Sequence, residues 1–167
     1  MLITAVDGMP GIGKTALAVQ WAHQVADRFP DGQLYVNLRG FDPGARPVPA
    51  TRAIRGFLDG LGIPAGQIPR SLDAQASLYR SRLAGRRMLV LLDNARDIEQ
   101  IRPLLPGSPE CLVLITSRNK LTSLITDGAY PLTLGLPSDA EAHQLLGRRL
   151  GGDRLSLPFN LSGLFGR

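Results

Sequence analysis

Residues 8–15 read Gly8-Met9-Pro10-Gly11-Ile12-Gly13-Lys14-Thr15, directly after the apolar run Leu2–Val6 and Asp7. This octapeptide satisfies GxxxxGK[ST] at every fixed position. Glycine opens backbone conformations closed to residues with a Cβ, so that consecutive N–H groups turn toward one point. Together with the positive end of a helix starting near Lys14, those groups form an anion cradle. Lys14 brings a mobile positive charge to β and γ phosphates. Thr15 offers a hydroxyl to magnesium, an ion that prefers oxygen ligands and keeps several waters. The strand-like run before the loop and the Ala-rich stretch after it give the context the motif requires. Gly8, Met9, Pro10, Gly11, Ile12, Gly13, Lys14, Thr15 and Ala16 are therefore the candidate phosphate-binding residues.

Outward from the loop, five short apolar segments recur: Leu2–Val6, Gln33–Leu38, Met88–Leu92, Leu112–Thr116 and Tyr130–Leu134. Two of them, Leu89-Val90-Leu91-Leu92 and Leu112-Val113-Leu114-Ile115, are continuous, which suits strands covered on both faces. Helical stretches alternate with them. Lys14–Arg28 carries Leu17, Trp21 and Val25 at i, i+4 and i+8 and breaks before Pro30. Ala50–Leu61 gathers Ile54, Phe57, Leu58 and Leu61 on one face. Leu72–Leu83 pairs Leu72, Ala76, Tyr79 and Leu83 and ends at Gly85. Ser138 and Glu141 form a capping box that opens Ser138–Leu150. Strands alternating with helices predict an α/β fold with right-handed crossovers and a helix-covered parallel sheet.

A phosphate loop of this kind works with an acid at the tip of a neighbouring strand, which holds magnesium through its water shell. Met88-Leu89-Val90-Leu91-Leu92-Asp93 has that shape, so Asp93 is the candidate magnesium acid beside Thr15. Position 94 is Asn, which orients a water but cannot take its proton. Slow hydrolysis, or none without a partner, is the expectation. Asp97 and Glu99 have the spacing of the outer face of a short helix. Arg118 follows the strand Leu112–Thr116, at the end that lines the ligand crevice of a parallel sheet. Spacing alone leaves two readings: a contact to a terminal phosphate that tells a triphosphate from a diphosphate, or a solvated loop arginine beside Lys120. Lys14, Asp93 and Arg118 are thus the candidate catalytic residues. Asn119-Lys120-Leu121-Thr122 mimics the guanine-reading NKxD, but Thr122 replaces the acid, so adenine is favoured over guanine. His23 and His143 have no partner at metal-ligand spacing.

The 167 residues suffice for one domain, or one plus a fragment. With 44% hydrophobic and 20% charged residues, the chain can bury a core. Met1–Val6 and Met88–Leu92 are far too short to span a membrane, and the former lacks the basic region of a signal peptide. The single cysteine, Cys111, excludes a disulfide framework and fits a reducing cytoplasm, where the protein is expected to act. Net charge is +5, and every cation but Lys14 and Lys120 is arginine. These arginines are scattered and match a GC-rich coding bias, so direct DNA binding by this chain is not expected.

Five segments together resemble a known family. GMPGIGKT (8–15), FPDGQLYVNLRGFDP (29–43), MLVLLDNA (88–95), PLLPGSPECLVLITSR (103–118) and PLTLGLPSDAEAHQLL (131–146) come in the order seen in NB-ARC-type signal-transduction ATPases. They are especially similar to those of actinobacterial SARP-type regulators. The resemblance covers about residues 1–150. It implies a P-loop NTPase three-layer sandwich, with a five-stranded parallel sheet in the order 5-1-4-3-2 and helices on both faces. It also implies ADP/ATP and Mg2+ as cofactors, with ADP holding a closed state and ATP an assembling one. By matching segments, Gly8–Thr15 are the phosphate loop, Asp93 the magnesium acid and Arg118 the sensor arginine. Partners would be other domains of a longer regulator, or further copies on activation. Such proteins continue into a helical subdomain with a Gly-Leu-Pro-Leu-like segment, of which Leu157-Pro158-Phe159 is a faint echo. Residues 151–167 are accordingly expected to be an irregular tail, and the chain a piece lacking the family's flanking domains. The alternatives are a P-loop small-molecule kinase, whose lid arginines would be Arg39 and Arg46, or a fragment that binds nucleotide weakly or not at all.

Overall fold

Each of the five apolar runs becomes a strand in the computed structural model, which describes residues 1–136, 138, 140 and 141. The strands are β1 (Leu2–Gly8), β2 (Gln33–Asn37), β3 (Leu89–Ala95), β4 (Leu112–Ser117) and β5 (Tyr130–Leu134). All pairings are parallel, in the order β2-β3-β4-β1-β5, which is the order 5-1-4-3-2 expected above. The helices are α1 (Lys14–Gln24), α2 (Ala50–Gly60), α3 (Leu72–Leu83) and two short ones, α4 (Ile98–Ile101) and α5 (Thr122–Thr126).

The uninterrupted runs of β3 and β4 divide by alternation between two cores. Val90, Leu92, Val113 and Ile115 face a larger cluster with Ile54, Phe57 and Leu58 of α2 and Ala76, Tyr79 and Leu83 of α3. Leu89, Leu91 and Leu114 face a smaller one with Ala18 and Ala22 of α1. Burial of each large aliphatic side chain in the larger core stabilises the fold by about 1.5–3 kcal/mol. Phe57 and Tyr79 stack there with ring centroids 5.7 Å apart.

Two local expectations are corrected. Helix α1 ends at Gln24, and a 3-10 turn (Ala26–Arg28) follows where a continuous helix to Arg28 was expected. Ala18 and Ala22 are its buried residues, and Trp21 and Val25 of the expected face pack partly buried beside them, whereas Leu17 is 45% exposed. Asp97, expected on an outer helix face, caps α4 by accepting from Gln100 N at 3.0 Å.

Met1–Leu134 form one compact unit and residues 135–167 a second. In the second, Ser138 and Glu141 make the expected capping box: Ser138 N donates to Glu141 Oε2 at 2.8 Å, and Glu141 N to Ser138 Oγ at 3.3 Å. The bond from Ser138 N, and then one from Ser138 Oγ to the same oxygen at 2.8 Å, hold the Glu141 carboxyl below its ordinary range. The rest of the expected helix Ser138–Leu150, with His143 and the tail 151–167, lies outside the described residues.

Candidate functional site

The loop between β1 and α1 is closed by Gly13, whose φ of 99° lies in the left-handed region that glycine occupies without strain. Gly13 is the N-cap of α1 and has no side chain to cap it, so the first N–H groups of the helix stay free for an anion. Thr15, Ala18 and Ala22 fall at i, i+3 and i+7, on one helical face. That face meets the sheet because Thr15 Oγ1 donates to Asp93 Oδ1 at the tip of β3, 2.7 Å away. Small residues at 18 and 22 let the helix settle close enough for this contact. Leu17 is turned outward by the same rotation.

Asp93 is 2% exposed. Its Oδ1 also accepts from Thr116 Oγ1 of β4 at 2.6 Å, and its Oδ2 from the Tyr35 hydroxyl of β2 at 3.4 Å. All three donors are hydroxyls, and no ion pair to Asp93 forms among the described residues. A buried carboxylate in such a setting is compensated by a cation or metal. Hard oxygens at Thr15 and Asp93 converging beside a phosphate cradle fit magnesium, which takes one or two protein ligands plus substrate phosphates. Tyr35 is pushed above the ordinary phenol range by burial and by the Asp93 charge, which keeps it a donor.

Lys14 Nζ donates to the carbonyls of Gly8 at 2.7 Å and Met9 at 2.8 Å. Burial of the ammonium, and then the neighbouring Arg118 guanidinium, hold Lys14 below the ordinary lysine value, while Asp7 and Asp93 pull it up. Arg118 lies over the ring of Phe41, 5.2 Å from its centroid, a cation–π contact that fixes its direction. A cavity of about 460 Å³ opens between these groups, within the usual range for a small-molecule site.

Of the sequence candidates, Pro10, Gly11, Gly13, Lys14, Thr15, Ala16, Asp93 and Arg118 line this one cavity. Gly8, Met9 and Ile12 do not: Gly8 and Met9 present carbonyls to Lys14, and Met9 is 59% exposed. Tyr35, Asn37, Asp42, Thr116 and Ser117 also line the cavity, and no motif marks them in the sequence. Asn37, Thr116 and Ser117 sit at the C-terminal ends of parallel strands, the rule that singles out Asp93 and Arg118, whereas Tyr35 lies inside β2 and Asp42 in the loop after it. Arg39 and Arg46, the lid arginines a kinase would need, are exposed and do not line it. Asn119 is occupied structurally, its side-chain amide donating to Arg96 O at 2.8 Å.

A parallel sheet in the order 2-3-4-1-5, flanked by helices and carrying this loop between β1 and α1, is the P-loop nucleoside triphosphatase fold. Cdc6p from Pyrobaculum aerophilum shares it, with a TM-score of 0.64 and 21% identity over 88% of this chain and 42% of that one. In sequence, the chain is 50% identical over 155 residues to the regulatory protein AfsR of Streptomyces griseus. It is 46% identical over 156 residues to the regulatory protein AfsR of Streptomyces coelicolor. Each match covers 93% of this chain but only 16% and 15% of those relatives, so the chain is a homologue of one segment of these regulators. The resemblance to SARP-type regulators read from the five segments therefore holds. No protein-family model matches the chain. No helix among the described residues is long and apolar enough to cross a membrane.

Proposed function

We propose that this chain is an NB-ARC-type nucleotide-switch domain, taking ADP or ATP with Mg2+ and hydrolysing ATP slowly, within a longer cytoplasmic transcriptional regulator. The observation that carries the reading is the convergence of Lys14, Thr15, Asp93 and Arg118 on one cavity, with the Thr15–Asp93 contact at 2.7 Å at its floor. Homology to a segment of regulatory proteins supports the wider role. Residues 1–150 are the nucleotide-binding domain in this reading, and 151–167 the start of a helical subdomain.

The loop amides and the start of α1 bind the phosphates, and Lys14 exchanges its bonds to Gly8 and Met9 for phosphate oxygens. Thr15 and Asp93 hold magnesium, which when bound would neutralise charge on the β and γ phosphates. Arg118, steadied on Phe41, reads the γ phosphate. The loss of the acid from Asn119–Thr122 favours adenine. The partners are the remaining domains of the regulator, or further copies when ATP is bound.

Isothermal titration of the 167-residue chain tests this reading. Saturable binding of Mg·ADP and Mg·ATP, weakened at least tenfold by Lys14→Ala, is expected. Absence of binding by folded protein, or indifference to that substitution, overturns it.

A further inference from the structure

The residue after Asp93 is Asn94, whose amide cannot accept a proton, yet its side chain is held in an unusual position. β3 and β4 slip register between Leu92 and Ala95, and Asn94 takes a φ of 54°, the left-handed region that Asn tolerates better than most residues. Irregularities of this kind beside active sites re-aim a side chain. Here Asn94 Nδ2 donates to Asp42 Oδ1 at 2.7 Å, joining β3 to the loop between β2 and α2.

That loop is fastened to β3. Leu38 N donates to Asp93 O at 2.8 Å and Gly40 N to Asn94 O at 2.7 Å. A Cβ on Gly40 would lie 2.6 Å from both Arg96 N and Asn94 O, so only glycine permits the approach. At the base of the loop, buried Gln100 donates to Leu38 O at 3.0 Å and Val48 O at 2.7 Å. Asp42 is thereby presented to the same cavity as Lys14, Asp93, Tyr35 and Arg118, which are the charged and titratable groups around it.

We propose that Asp42, oriented by Asn94, is the proton acceptor for the attacking water in ATP hydrolysis, a role that rests on the nucleotide reading above. A carboxylate only accepts hydrogen bonds, so the Asn94 amide turns its N–H toward Asp42 and leaves its own oxygen free. Two acceptors, Asn94 Oδ1 and Asp42 Oδ2, then stand ready for the two protons of one water. The water oxygen bonds to the γ phosphorus, and one proton passes to Asp42. The bond from that phosphorus to the β–γ bridging oxygen breaks, and ADP leaves with the electron pair. Asn94 is a positioning residue and Asp42 the base.

The test is single-turnover hydrolysis of Mg·ATP by the 167-residue chain, with nucleotide affinity measured in parallel. Asp42→Asn keeps an acceptor for Asn94 but no base. It is expected to slow hydrolysis about 100-fold, within the range general bases supply. It should also leave ADP and ATP affinities within about threefold. The exchanged pair Asp42→Asn with Asn94→Asp restores a carboxylate against an amide and should recover the rate to within about tenfold of the parent. If Asp42→Asn does not fold, the exchanged pair carries the test alone, and its failure to hydrolyse overturns the proposal. Unchanged turnover in Asp42→Asn, or loss of nucleotide binding with it, also overturns it. A parent chain that binds ATP without turning it over sinks this assignment alone, whereas a parent that binds no nucleotide sinks the reading beneath it.

Discussion

Thr15 Oγ1 and Asp93 Oδ1 meet at 2.7 Å although 78 residues separate them in the chain. The contact orients α1, sets the floor of the cavity and brings together the oxygens that fit magnesium. Removing the Asp93 charge while keeping its shape isolates the metal role. Asp93→Asn should lose the enhancement of nucleotide affinity by Mg2+, expected at tenfold or more, since a carboxylate ligand becomes a weaker amide oxygen. Affinity without Mg2+ should stay within about threefold of the parent. Titrations with and without the ion check this, and an undiminished Mg2+ effect refutes the assignment.

Lys14 supplies a pH dependence whose sign follows from its surroundings. Burial and Arg118 lower its proton affinity in the free protein, and a bound polyphosphate raises it by placing anions beside the ammonium. Binding therefore favours the protonated form. Affinity should decline from its neutral-pH level as pH rises through the free-state value, earlier than for an ordinary lysine at 10.5. Lys14→Arg keeps its charge throughout, so its binding should be weaker but free of that alkaline decline. ADP titrations from neutral to alkaline pH measure both curves.

Arg118 separates triphosphate from diphosphate only if its guanidinium reaches the γ position. Hydrogen bonds to charged groups contribute about 1.5–3 kcal/mol, so Arg118→Ala should weaken ATP about tenfold or more. ADP should change by less than about threefold, because no γ phosphate is present. Phe41→Ala removes the ring beneath the guanidinium, 5.2 Å from its centroid, and should reduce ATP affinity by a smaller factor. Equal losses for ADP and ATP would show that Arg118 does not discriminate between them.

Much of this arrangement was legible in the residues. The apolar runs located all five strands, because strands buried on both faces lose their alternation and stand out as bulky stretches. The phosphate loop was legible because its glycines, Lys14 and Thr15 keep a fixed spacing between a strand-like run and a helical one. Asp93 followed from its place at a strand tip, and Arg118 was singled out by the same rule. Asp42 and Tyr35 carried no such signal: their places beside the cavity depend on register and on a loop fastened through Gly40 and Gln100. The face of α1 was legible in part: Trp21 and Val25 pack against the smaller core, as their spacing implies, but Leu17 does not. Hydrophobic size pointed to Leu17 as well, but Ala18 takes the place against the sheet, on the face where Thr15 bonds Asp93.

The rotation of α1 is open to a direct test in which size and position oppose each other. Leu17 is 45% exposed and Ala18 is 2% exposed. Leu17→Ala removes more apolar bulk but from the solvent side, so unfolding stability should change by less than about 0.5 kcal/mol. Ala18→Leu adds bulk at a buried position of the smaller core, against the sheet, and should cost about 1–3 kcal/mol. At about 2–4 °C per kcal/mol for a chain of this size, the second variant should melt several degrees lower. It should also weaken Mg·ADP binding, because a helix pushed off the sheet carries Thr15 away from Asp93. Thermal melts and ADP titrations of the two variants decide the matter. Should Leu17→Ala prove the more damaging, the helix faces the sheet through its large residues and the Thr15–Asp93 contact cannot be what sets it.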